Sequence, residues 1–449
     1  MILSVKNFKS IKSVSDFRIE DVNILVGVNS SGKSSLTQSL LLLKQTVESD
    51  SKEVIRLNSP YVYADGFSDL VYGKQKQTVL EYDIEFEYSE ILDKGNLCSM
   101  LGVDTFDRLG LHVAFIGNGT IHVQELAVKL YDNGNTEETF LDVRRNKSSN
   151  AKDVYQVTAK NGKVLGVDND VSKGLTLKSC NIDFTNFFPI FGECKAAKSA
   201  IRFFSFPLLK VFKATIDSFF SNIYYIGPIR VKPALLKTYD MTPSMERVDA
   251  DGDNTRYILQ EKKDLKVDGD RTLAESVKEW VCDRLGLAES IETTKDANKF
   301  YRTQLQNGHN QKIDLCHMGF GISQILPILV QGLILPENGL LIVEDPCVHM
   351  HPSVQAKMMD FFLELTESKG RKAMIETHSD HIITRLRRRV AEGCQAGKIN
   401  LRFVEQTSEG SEYLKIDITD QGAFGSELPK GFLDTQDDDF RAILKSRLR

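Results

Sequence analysis

Apolar and polar residues alternate with a period of two along much of the first half of the chain. Ile2–Phe8 and Val14–Ile19 show this alternation, which predicts a pair of strands. The period returns over Gln77–Lys163 with turn residues between its segments, so this stretch predicts an antiparallel β-rich layer. Lys195–Ile223 changes to helical spacing with many phenylalanines, a pattern more typical of a helix core than of a ligand platform.

The last third of the chain alternates short apolar strands with helical segments. Strands are predicted at Gly339–Val343 and Ala373–Glu376. The helices predicted around them are Gly321–Leu335, Ser353–Ser368 and His381–Ala391. Because strands that alternate with helices pair side by side in one direction, this repetition predicts a parallel sheet.

A glycine-rich segment, LVGVNSSGKSS, links a predicted buried strand at Val22–Val26 to helical spacing from Lys33 to Val47. Its spacing, G-x-x-x-x-G-K-S, is that of a phosphate-binding loop, in which glycines let backbone amides approach an anion. Lys33 is expected to contact the β- and γ-phosphates of ATP, and the Ser34 hydroxyl is expected to ligate Mg²⁺. The residues expected to bind the nucleotide here are Gly27, Asn29, Ser30, Ser31, Gly32, Lys33, Ser34 and Ser35.

Two carboxylates follow the apolar strand in the segment LLIVEDP, Leu340–Pro346. Glu344 is expected to hold Mg²⁺ directly or through water, and Asp345 to orient or deprotonate the attacking water. The alternative is an ordinary helix start with acidic residues favoured by the helix dipole. The later segment IETHS, Ile375–Ser379, predicts another strand that ends in a polar cluster, and its His378 is expected to contact the γ-phosphate.

Composition argues against several classes of protein but identifies no further functional residue. The formal net charge of −5 with 27% charged residues argues against a strongly basic nucleic-acid-binding protein. The seven cysteines are scattered without a C-x-x-C pair, which argues against a zinc site or a disulfide framework. Without a signal-like N-terminus or an apolar run of about 18 residues, the chain is expected to be cytoplasmic.

Several polar groups have both a structural and a functional interpretation. Arg230 is expected to support its loop through a salt bridge, with a γ-phosphate sensor as the alternative. His349 and His351 are expected to pack at a subunit interface, with metal ligation as the alternative. The basic run Arg385–Val390 is expected to be a solvated helix face, although it is the best local candidate for a DNA or partner contact.

Four ordered motifs resemble those of ABC-type ATPases in the RecF, SMC and OLD group. They are LVGVNSSGKSS, MGFGISQILPILVQ, LLIVEDPCVHMHP and IETHSDH, which resemble the P-loop, signature helix, Walker B strand and H-loop. NFKSIKSV, YYIGPIRVKP, DGDNTRYIL and LPKGFLD further resemble the short stand-alone AAA-type ATPases of prokaryotic defence operons, such as those of the Septu and PARIS systems.

The resemblance implies an α/β fold, an ABC-type P-loop ATPase head with a mixed sheet, an antiparallel β-rich layer and an inserted helical lobe. The expected domains are an N-terminal nucleotide lobe with the β-rich layer (1–175), a helical insertion lobe (176–315) and a C-terminal lobe with the signature helix, Walker B strand and H-loop (316–449).

It also implies a head-to-tail dimer with ATP between subunits, in which the signature segment of one subunit closes over the γ-phosphate of the other. Gly319, Gly321 and Ser323 would then contact the partner's nucleotide. Gly319 stands where the family has serine, and the acidic pair is Glu–Asp where the family usually places Glu second, which implies slow hydrolysis. Gln75 and Gln77 are candidates for the Q-loop glutamine only because they lie near the expected region, and no Q-loop residue is assigned.

Three functions remain open from the sequence. The leading one is an ATP-binding and hydrolysing sensor that controls a partner effector in anti-phage defence, expected to be a nuclease of HNH or Toprim type encoded nearby. Residues 379–449 are expected to be too short for the Toprim domain of OLD proteins. The second is a RecF- or SMC-like DNA-repair ATPase. The third, a nuclease within this chain that uses Asp249, Asp251 and Asp253, competes with an ordinary solvated turn.

Overall fold

A computed structural model gives the arrangement of the chain. It describes residues 1–75, 77–132, 136–146, 153–160, 164, 174–195, 200–202, 207–239, 246–297, 299–367, 369–425, 428–429, 443 and 445–446. The chain divides into two compact units, described one at a time below. Unit 1 comprises residues 1–19, 35–221 and 406–412, and unit 2 comprises residues 20–34, 222–405 and 413–449.

The strands are β1 (Ile2–Phe8), β2 (Ile11–Arg18), β3 (Val22–Val26), β4 (Leu80–Glu87), β5 (Arg108–Asn118), β6 (Thr120–Asp132), β7 (Thr136–Asn146), β8 (Val154–Ala159), β9 (Leu175–Thr185), β10 (Phe188–Lys195), β11 (Ala200–Arg202), β12 (Ile223–Ile226), β13 (Lys266–Asp268), β14 (Arg271–Thr272), β15 (Ser290–Lys295), β16 (Tyr301–Gln306), β17 (Lys312–Asp314), β18 (Leu340–Glu344), β19 (Lys372–Thr377), β20 (Ile399–Thr407) and β21 (Gly410–Lys415). The α-helices are α1 (Lys33–Val47), α2 (Phe67–Leu70), α3 (Lys94–Leu101), α4 (Pro207–Ser221), α5 (Thr255–Glu261), α6 (Leu273–Lys278), α7 (Phe320–Leu333), α8 (Pro352–Thr366) and α9 (Asp380–Ala391). A π-helix, Glu279–Arg284, continues from α6.

The ten-stranded sheet of unit 1 is the antiparallel layer that the period of two predicted. Its order is β11-β10-β9-β8-β7-β6-β5-β4-β1-β2, and every pair is antiparallel. Alternate residues are buried because successive side chains of a strand point to opposite faces.

The helical spacing predicted over Lys195–Ile223 is only partly right. Lys195 ends β10, and Ala200–Arg202 form β11, so the helix itself begins at Pro207. Proline is favoured in the first turn of a helix, where its missing N–H costs no hydrogen bond. Phe212, Ile216 and Phe220 of α4 are fully buried, in agreement with a helix core. Three phenylalanines of the predicted stripe, Phe203, Phe204 and Phe206, lie outside the described residues.

Unit 2 contains the predicted parallel sheet. Its order is β12-β18-β19-β3-β20-β21, and the first five strands run in one direction. A two-residue connection joins β20 to β21, and such a short link can only join antiparallel strands, so the sheet is mixed. All five residues of β3 and of β18 are buried, as expected for a sheet covered on both faces.

The predicted fold class, an α/β P-loop head with a mixed sheet, an antiparallel layer and added helices, is confirmed. Helices α5 and α6 and the three-stranded sheet β15-β16-β17 lie between β12 and α7 along the chain. The proposed limits of the three domains stay a prediction. No helix within the described residues is long and apolar enough to cross a membrane.

Candidate functional site

The register of the parallel sheet brings two glutamates side by side. In the pairing of β18 with β19, Glu344 stands opposite Glu376. In the pairing of β19 with β3, Glu376 stands opposite Leu25, just before the glycine-rich loop. Ligand sites of parallel sheets form where the carboxyl ends of neighbouring strands meet. The candidate site therefore lies at this edge of unit 2.

The loop between β3 and α1 has the backbone of a phosphate-binding loop. Ser30 and Gly32 have φ values of 62° and 99°, left-handed conformations that let successive amides face one ligand. A Cβ at Gly27 would lie 2.2 Å from the carbonyl oxygen of Val404, so no larger residue fits there. Tyr413 donates to the carbonyl oxygen of Gly32 at 2.6 Å. The loop therefore packs closely against Val404 of β20 and is bonded to Tyr413 of β21.

Lys33 lies folded over this loop. Its Nζ donates to the carbonyl oxygens of Gly27 and Val28, each at 2.9 Å, and the residue is 6% exposed. Burial lowers the pKa of Lys33, while the nearby carboxylates of Glu376 and Asp345 oppose that shift. The two carbonyl bonds hold the ammonium group at the loop, where it can meet an anionic ligand.

The Ser34 hydroxyl lies between the two glutamates. It donates to Oε2 of Glu376 at 2.6 Å and lies 3.4 Å from Oε2 of Glu344. Two carboxylates and a hydroxyl are hard oxygen ligands of the type that Mg²⁺ prefers, and Mg²⁺ sites on nucleotides use one or two carboxylates with phosphate and water. The residues present therefore fit the predicted cation, with Ser34, Glu344 and Glu376 as its candidate holders.

Tyr225 of β12 completes the surroundings of Glu344. Its hydroxyl donates to Oε1 of Glu344 at 2.7 Å. Burial and the adjacent carboxylate raise the pKa of Tyr225, so the phenol keeps its proton and remains a donor. Burial also raises the pKa of Glu344, with Asp345 adding to the shift and the bonds from Tyr225 and Ser34 opposing it. A divalent cation at Ser34 would relieve this cost by neutralising the buried carboxylates.

Asp345 has a left-handed backbone that its neighbours stabilise. Its φ is 43°, which is uncommon outside glycine although aspartate tolerates it better than most residues. Its N–H donates to the carbonyl oxygen of Glu376 at 2.9 Å. Arg230, 4% exposed, donates from Nη2 to the carbonyl oxygen of Glu344 at 2.6 Å and from both terminal nitrogens to that of Asp345 at 3.3 Å.

The preferred interpretation of Arg230, support of its loop, agrees with these contacts, but the partners are carbonyl groups rather than a carboxylate. Burial lowers the pKa of Arg230 to about 10, so the guanidinium stays charged at neutral pH. Arg230 therefore holds the backbone of the turn that carries Asp345.

His378 follows β19 and belongs to the same neighbourhood. Burial and the Lys33 ammonium lower its pKa, while Asp345 and a backbone hydrogen bond with Gly27 oppose the shift. A lowered pKa leaves the imidazole neutral at pH 7, so one ring nitrogen donates and the other accepts. The structure thus brings together Gly27, Lys33, Ser34, Glu344, Asp345 and His378, while their catalytic roles stay predictions.

The signature segment forms the start of α7 and packs on the turn after the Walker B strand. A Cβ at Gly321 would lie 2.0 Å from Cε of Met350, so α7 passes close to this turn and a larger residue would displace the flexible end of the methionine. Gly319 is the N-cap residue of α7 and has open space around it. Ser323 is buried and donates to the carbonyl oxygen of Phe320 at 2.6 Å.

The two histidines after the Walker B strand have local contacts. His351 caps α8 by accepting a hydrogen bond from the Ser353 amide. The His349 ring packs edge-on against Phe320 at a centroid distance of 5.4 Å. Within the part of the chain that the structure describes, no group of three or more His, Cys, Asp or Glu residues is placed to hold a metal ion. The described residues therefore give no support to metal ligation by His349 and His351.

The arginines of α9 bind groups of their own unit. Arg385 and Arg389 each donate to Asp360 at 2.7 Å, and Arg388 donates to Glu392 at 2.7 Å. This run is therefore better explained as an ion-paired helix surface than as a DNA contact.

The acidic loop suggested for a nuclease forms a structured turn. Asp253 forms an ion pair with Lys237, and its N–H donates to Oδ1 of Asp251 at 3.1 Å. Ser35 belongs to unit 1, where its hydroxyl lies 2.7 Å from that of Ser10. Gln75 and Gln77 are exposed residues of unit 1, and neither is identified as a Q-loop glutamine.

Two residues of the site were missed from the sequence. The sequence places Glu376 only at the end of a predicted strand and Tyr225 only within the segment YYIGPIRVKP. A signal existed for Glu376, since a carboxylate in a buried apolar strand is unusual unless it binds a partner or a cation. The contact of Tyr225 with Glu344 depends on strand order, which the sequence does not state.

We expect Glu376→Gln to raise the Mg²⁺ concentration for half-maximal ATP turnover by roughly 10–100-fold, because an amide replaces the carboxylate that binds Ser34. Titrating turnover with Mg²⁺ at saturating ATP measures this. Glu392→Gln, which changes an exposed glutamate of unit 2, is the matched control and should behave as wild type. An unchanged Mg²⁺ requirement in Glu376→Gln would remove this residue from the cation site.

The family model of AAA ATPase domains (AAA_15) matches residues 1–182 and 233–383. An 80-residue segment is 35% identical to the DNA replication and repair protein RecF of Staphylococcus haemolyticus (strain JCSC1435), and it covers 17% of this chain and 22% of that protein.

Similar solved structures are heads of SMC proteins. An Smc head bound to the C-terminal winged-helix domain of ScpA has a TM-score of 0.47 and 13% identity, covering 93% of this chain and 97% of that one. The Smc head from Pyrococcus furiosus with an extended coiled coil, bound to the C-terminal domain of ScpA, has a TM-score of 0.45 and 11% identity, covering 99% and 98%.

Proposed function

This chain belongs to the AAA_15 family of AAA ATPase domains and is an ATP-hydrolysing enzyme, and on this premise we propose that it is a regulatory ATPase. In this proposal two or more copies assemble around ATP in the cytoplasm and control a separate effector. The effector is a nuclease of HNH or Toprim type encoded nearby, and the setting is anti-phage defence. The resemblance of the sequence to stand-alone ATPases of defence operons supports the effector and the setting.

The observation that carries the proposal is the Ser34 hydroxyl between Glu344 and Glu376, beside a lysine held on the P-loop. Lys33 would contact the β- and γ-phosphates, and the loop amides would surround them. Mg²⁺, when bound, neutralises charge on the phosphate oxygens and orients them. Ser34, Glu344 and Glu376 would hold it.

Two side chains are suited to hydrolysis. Asp345, on the turn whose backbone Arg230 holds, would accept a proton from the attacking water. Neutral His378 would donate a hydrogen bond to the γ-phosphate or to that water. The carboxylate of aspartate reaches less far than that of glutamate, so turnover is expected to be slow and the ATP-bound state long-lived.

The signature segment supports assembly of two subunits around ATP. The first amides of α7, a helix of 14 residues with glycine at its N-cap, have no side-chain cap and carry the positive end of the helix dipole. In the proposed dimer Gly319, Gly321 and the α7 amides of one subunit would meet the γ-phosphate on the other. Ser323 would act by supporting the turn at Phe320, because its own hydroxyl is committed to that carbonyl oxygen.

A DNA-binding repair ATPase is the second candidate, and the RecF segment favours it. Two measurements on the purified full chain separate the candidates. Steep weakening of DNA affinity with salt would indicate many phosphate contacts and favour repair. Negligible DNA binding, with ATP turnover that changes when the protein encoded by the neighbouring gene is added, would favour regulation. DNA cleavage by the chain alone would contradict a separate effector.

A further inference from the structure

Strands β20 and β21 contact both glycines of the phosphate-binding loop. A Cβ at Gly27 would lie 2.2 Å from the carbonyl oxygen of Val404 in β20. The Tyr413 hydroxyl of β21 donates to the carbonyl oxygen of Gly32 at 2.6 Å. Gly32 and Tyr413 are 381 positions apart in the sequence, and both belong to unit 2. The second contact therefore depends on the order of strands in the sheet and not on a local motif.

The sheet places Tyr413 two strands away from the strand that leads into the loop. β20 pairs with β3, and β21 is the next strand outward. The side chain at position 413 must therefore span β20 to meet Gly32, and tyrosine is a long, stiff side chain that ends in a hydrogen-bond donor. The backbone of Tyr413 is itself held, because Arg402 of β20 donates from Nη1 to its carbonyl oxygen at 3.4 Å.

The hydrogen bond from Tyr413 fixes the orientation of one peptide group in the loop. The peptide between Gly32 and Lys33 is planar and trans, so its carbonyl and its N–H point in opposite directions. Because Tyr413 holds the carbonyl oxygen, the N–H of Lys33 is directed away from Tyr413. Gly32 has a φ of 99°, in a region where glycine meets little steric resistance to rotation. Local sterics alone would therefore leave this peptide free to turn.

The N–H in question lies at the start of a helix. Lys33 is the first residue of α1, and the first four N–H groups of a helix have no partner within the helix. These groups carry the positive end of the helix dipole and are the donors that meet a bound phosphate. If the peptide turned over, the carbonyl oxygen of Gly32 would face the phosphate instead. A donor would then be replaced by an acceptor that repels the anion.

Taking this loop as the ATP site, as in the function proposed above, we infer that Tyr413 is a positioning residue for the nucleotide. Its hydroxyl holds the Gly32–Lys33 peptide so that the N–H of Lys33 faces the phosphates. The effect is on the phosphate chain and not on the base, because the group that Tyr413 orients belongs to the loop. It is also an effect on affinity rather than on hydrolysis, since the turn at Asp345 is not the segment that Tyr413 bonds.

The test compares Tyr413→Phe with the wild-type full chain, because phenylalanine keeps the ring and removes only the hydroxyl. A fluorescent, non-hydrolysable ATP analogue measures nucleotide affinity. Competition by inorganic tripolyphosphate measures affinity for a phosphate chain without base or sugar. We expect both affinities to weaken by about 3–10-fold, the loss of one neutral hydrogen bond. KM for ATP should rise by a similar factor, while kcat changes less than about twofold.

The matched control is Tyr63→Phe, which removes the hydroxyl of a tyrosine that is 70% exposed and donates to Asp65 at 2.8 Å. It should bind both ligands as wild type does. Tyr413→His carries its donor on a shorter ring that does not reach Gly32, so it should show the same loss and serves if Tyr413→Phe does not fold. Thermal unfolding without ligand is measured for each variant.

Three outcomes would overturn the role of Tyr413. The first is wild-type affinity for both ligands in the Tyr413 variants. The second is a lower melting temperature with unchanged affinities, which would indicate support of the fold alone. The third is weaker binding of the ATP analogue with unchanged binding of tripolyphosphate, which would mean that Tyr413 acts on the base or sugar.

Failure of this role is distinguishable from failure of the proposed ATP site. If Lys33→Ala loses ATP turnover while the Tyr413 variants bind both ligands as wild type does, the loop remains the ATP site and only the role of Tyr413 is wrong. If Lys33→Ala retains both turnover and tripolyphosphate binding, the loop is not the ATP site, and the role of Tyr413 is wrong with it.

Discussion

Replacing Lys33 with alanine is expected to reduce ATP turnover by about 10²–10³-fold. The ammonium group is buried on the P-loop and bound to the carbonyl oxygens of Gly27 and Val28. Its loss removes both the positive charge expected at the β- and γ-phosphates and the link that holds the loop closed. Phosphate release at saturating ATP measures turnover, and a fluorescent ATP analogue measures binding.

The control for this variant is Lys74→Ala, since the Lys74 side chain is 78% exposed and pairs with Asp69 at the surface. It should retain wild-type turnover, because exposed ion pairs contribute little. Lys33→Arg should also be impaired, because a planar guanidinium cannot occupy the position of a compact ammonium between two carbonyl oxygens. Unchanged turnover in Lys33→Ala would place ATP hydrolysis elsewhere in the chain.

Asp345→Asn is expected to lower ATP turnover by about 10²–10⁴-fold while leaving ATP binding largely intact. The amide has nearly the size and shape of the carboxylate but cannot take a proton from water. Asparagine also tolerates the φ of 43° at this position, so the turn held by Arg230 is retained. The variant should therefore accumulate the ATP-bound assembly, seen as a longer-lived dimer in size-exclusion chromatography with light scattering.

The variant Glu344→Gln distinguishes the role of Glu344 from that of Asp345. Glu344 lies near Ser34 and accepts from Tyr225, so its loss should impair Mg²⁺-dependent binding rather than trap bound ATP. Asp283→Asn, an exposed aspartate of the π-helix, is the neutral control. If Glu344→Gln traps the dimer and Asp345→Asn loses ATP, the roles assigned to the two acids are reversed.

Different parts of the fold could be predicted to different extents. The period of two identified the antiparallel layer, because strands such as β8 bury alternate residues on one face and expose the other face. The helical spacing over Lys195–Ile223 predicts a helix that begins earlier than α4 does, since β10 and β11 precede α4 and apolar residues there suit either structure.

The residues of the candidate site could also be predicted to different extents. Gly27, Lys33 and Ser34 form a contiguous motif whose chemistry depends on local backbone, so their interpretation needed no tertiary structure. Glu376 and Tyr225 act through pairing with Glu344 across neighbouring strands, and the order β12-β18-β19-β3 is not encoded in any local pattern.

By itself, the sequence determined that this protein has a P-loop between a buried strand and a helix, a second acidic strand, and the residue types to bind and hydrolyse ATP. These are local properties, set by glycine conformations and by hydrophobic periodicity. Only the tertiary structure decided that Ser34 lies between two glutamates and that Arg230 holds the turn at Asp345. Such contacts join residues far apart in sequence, and their energies come from burial and pairing that no single segment specifies.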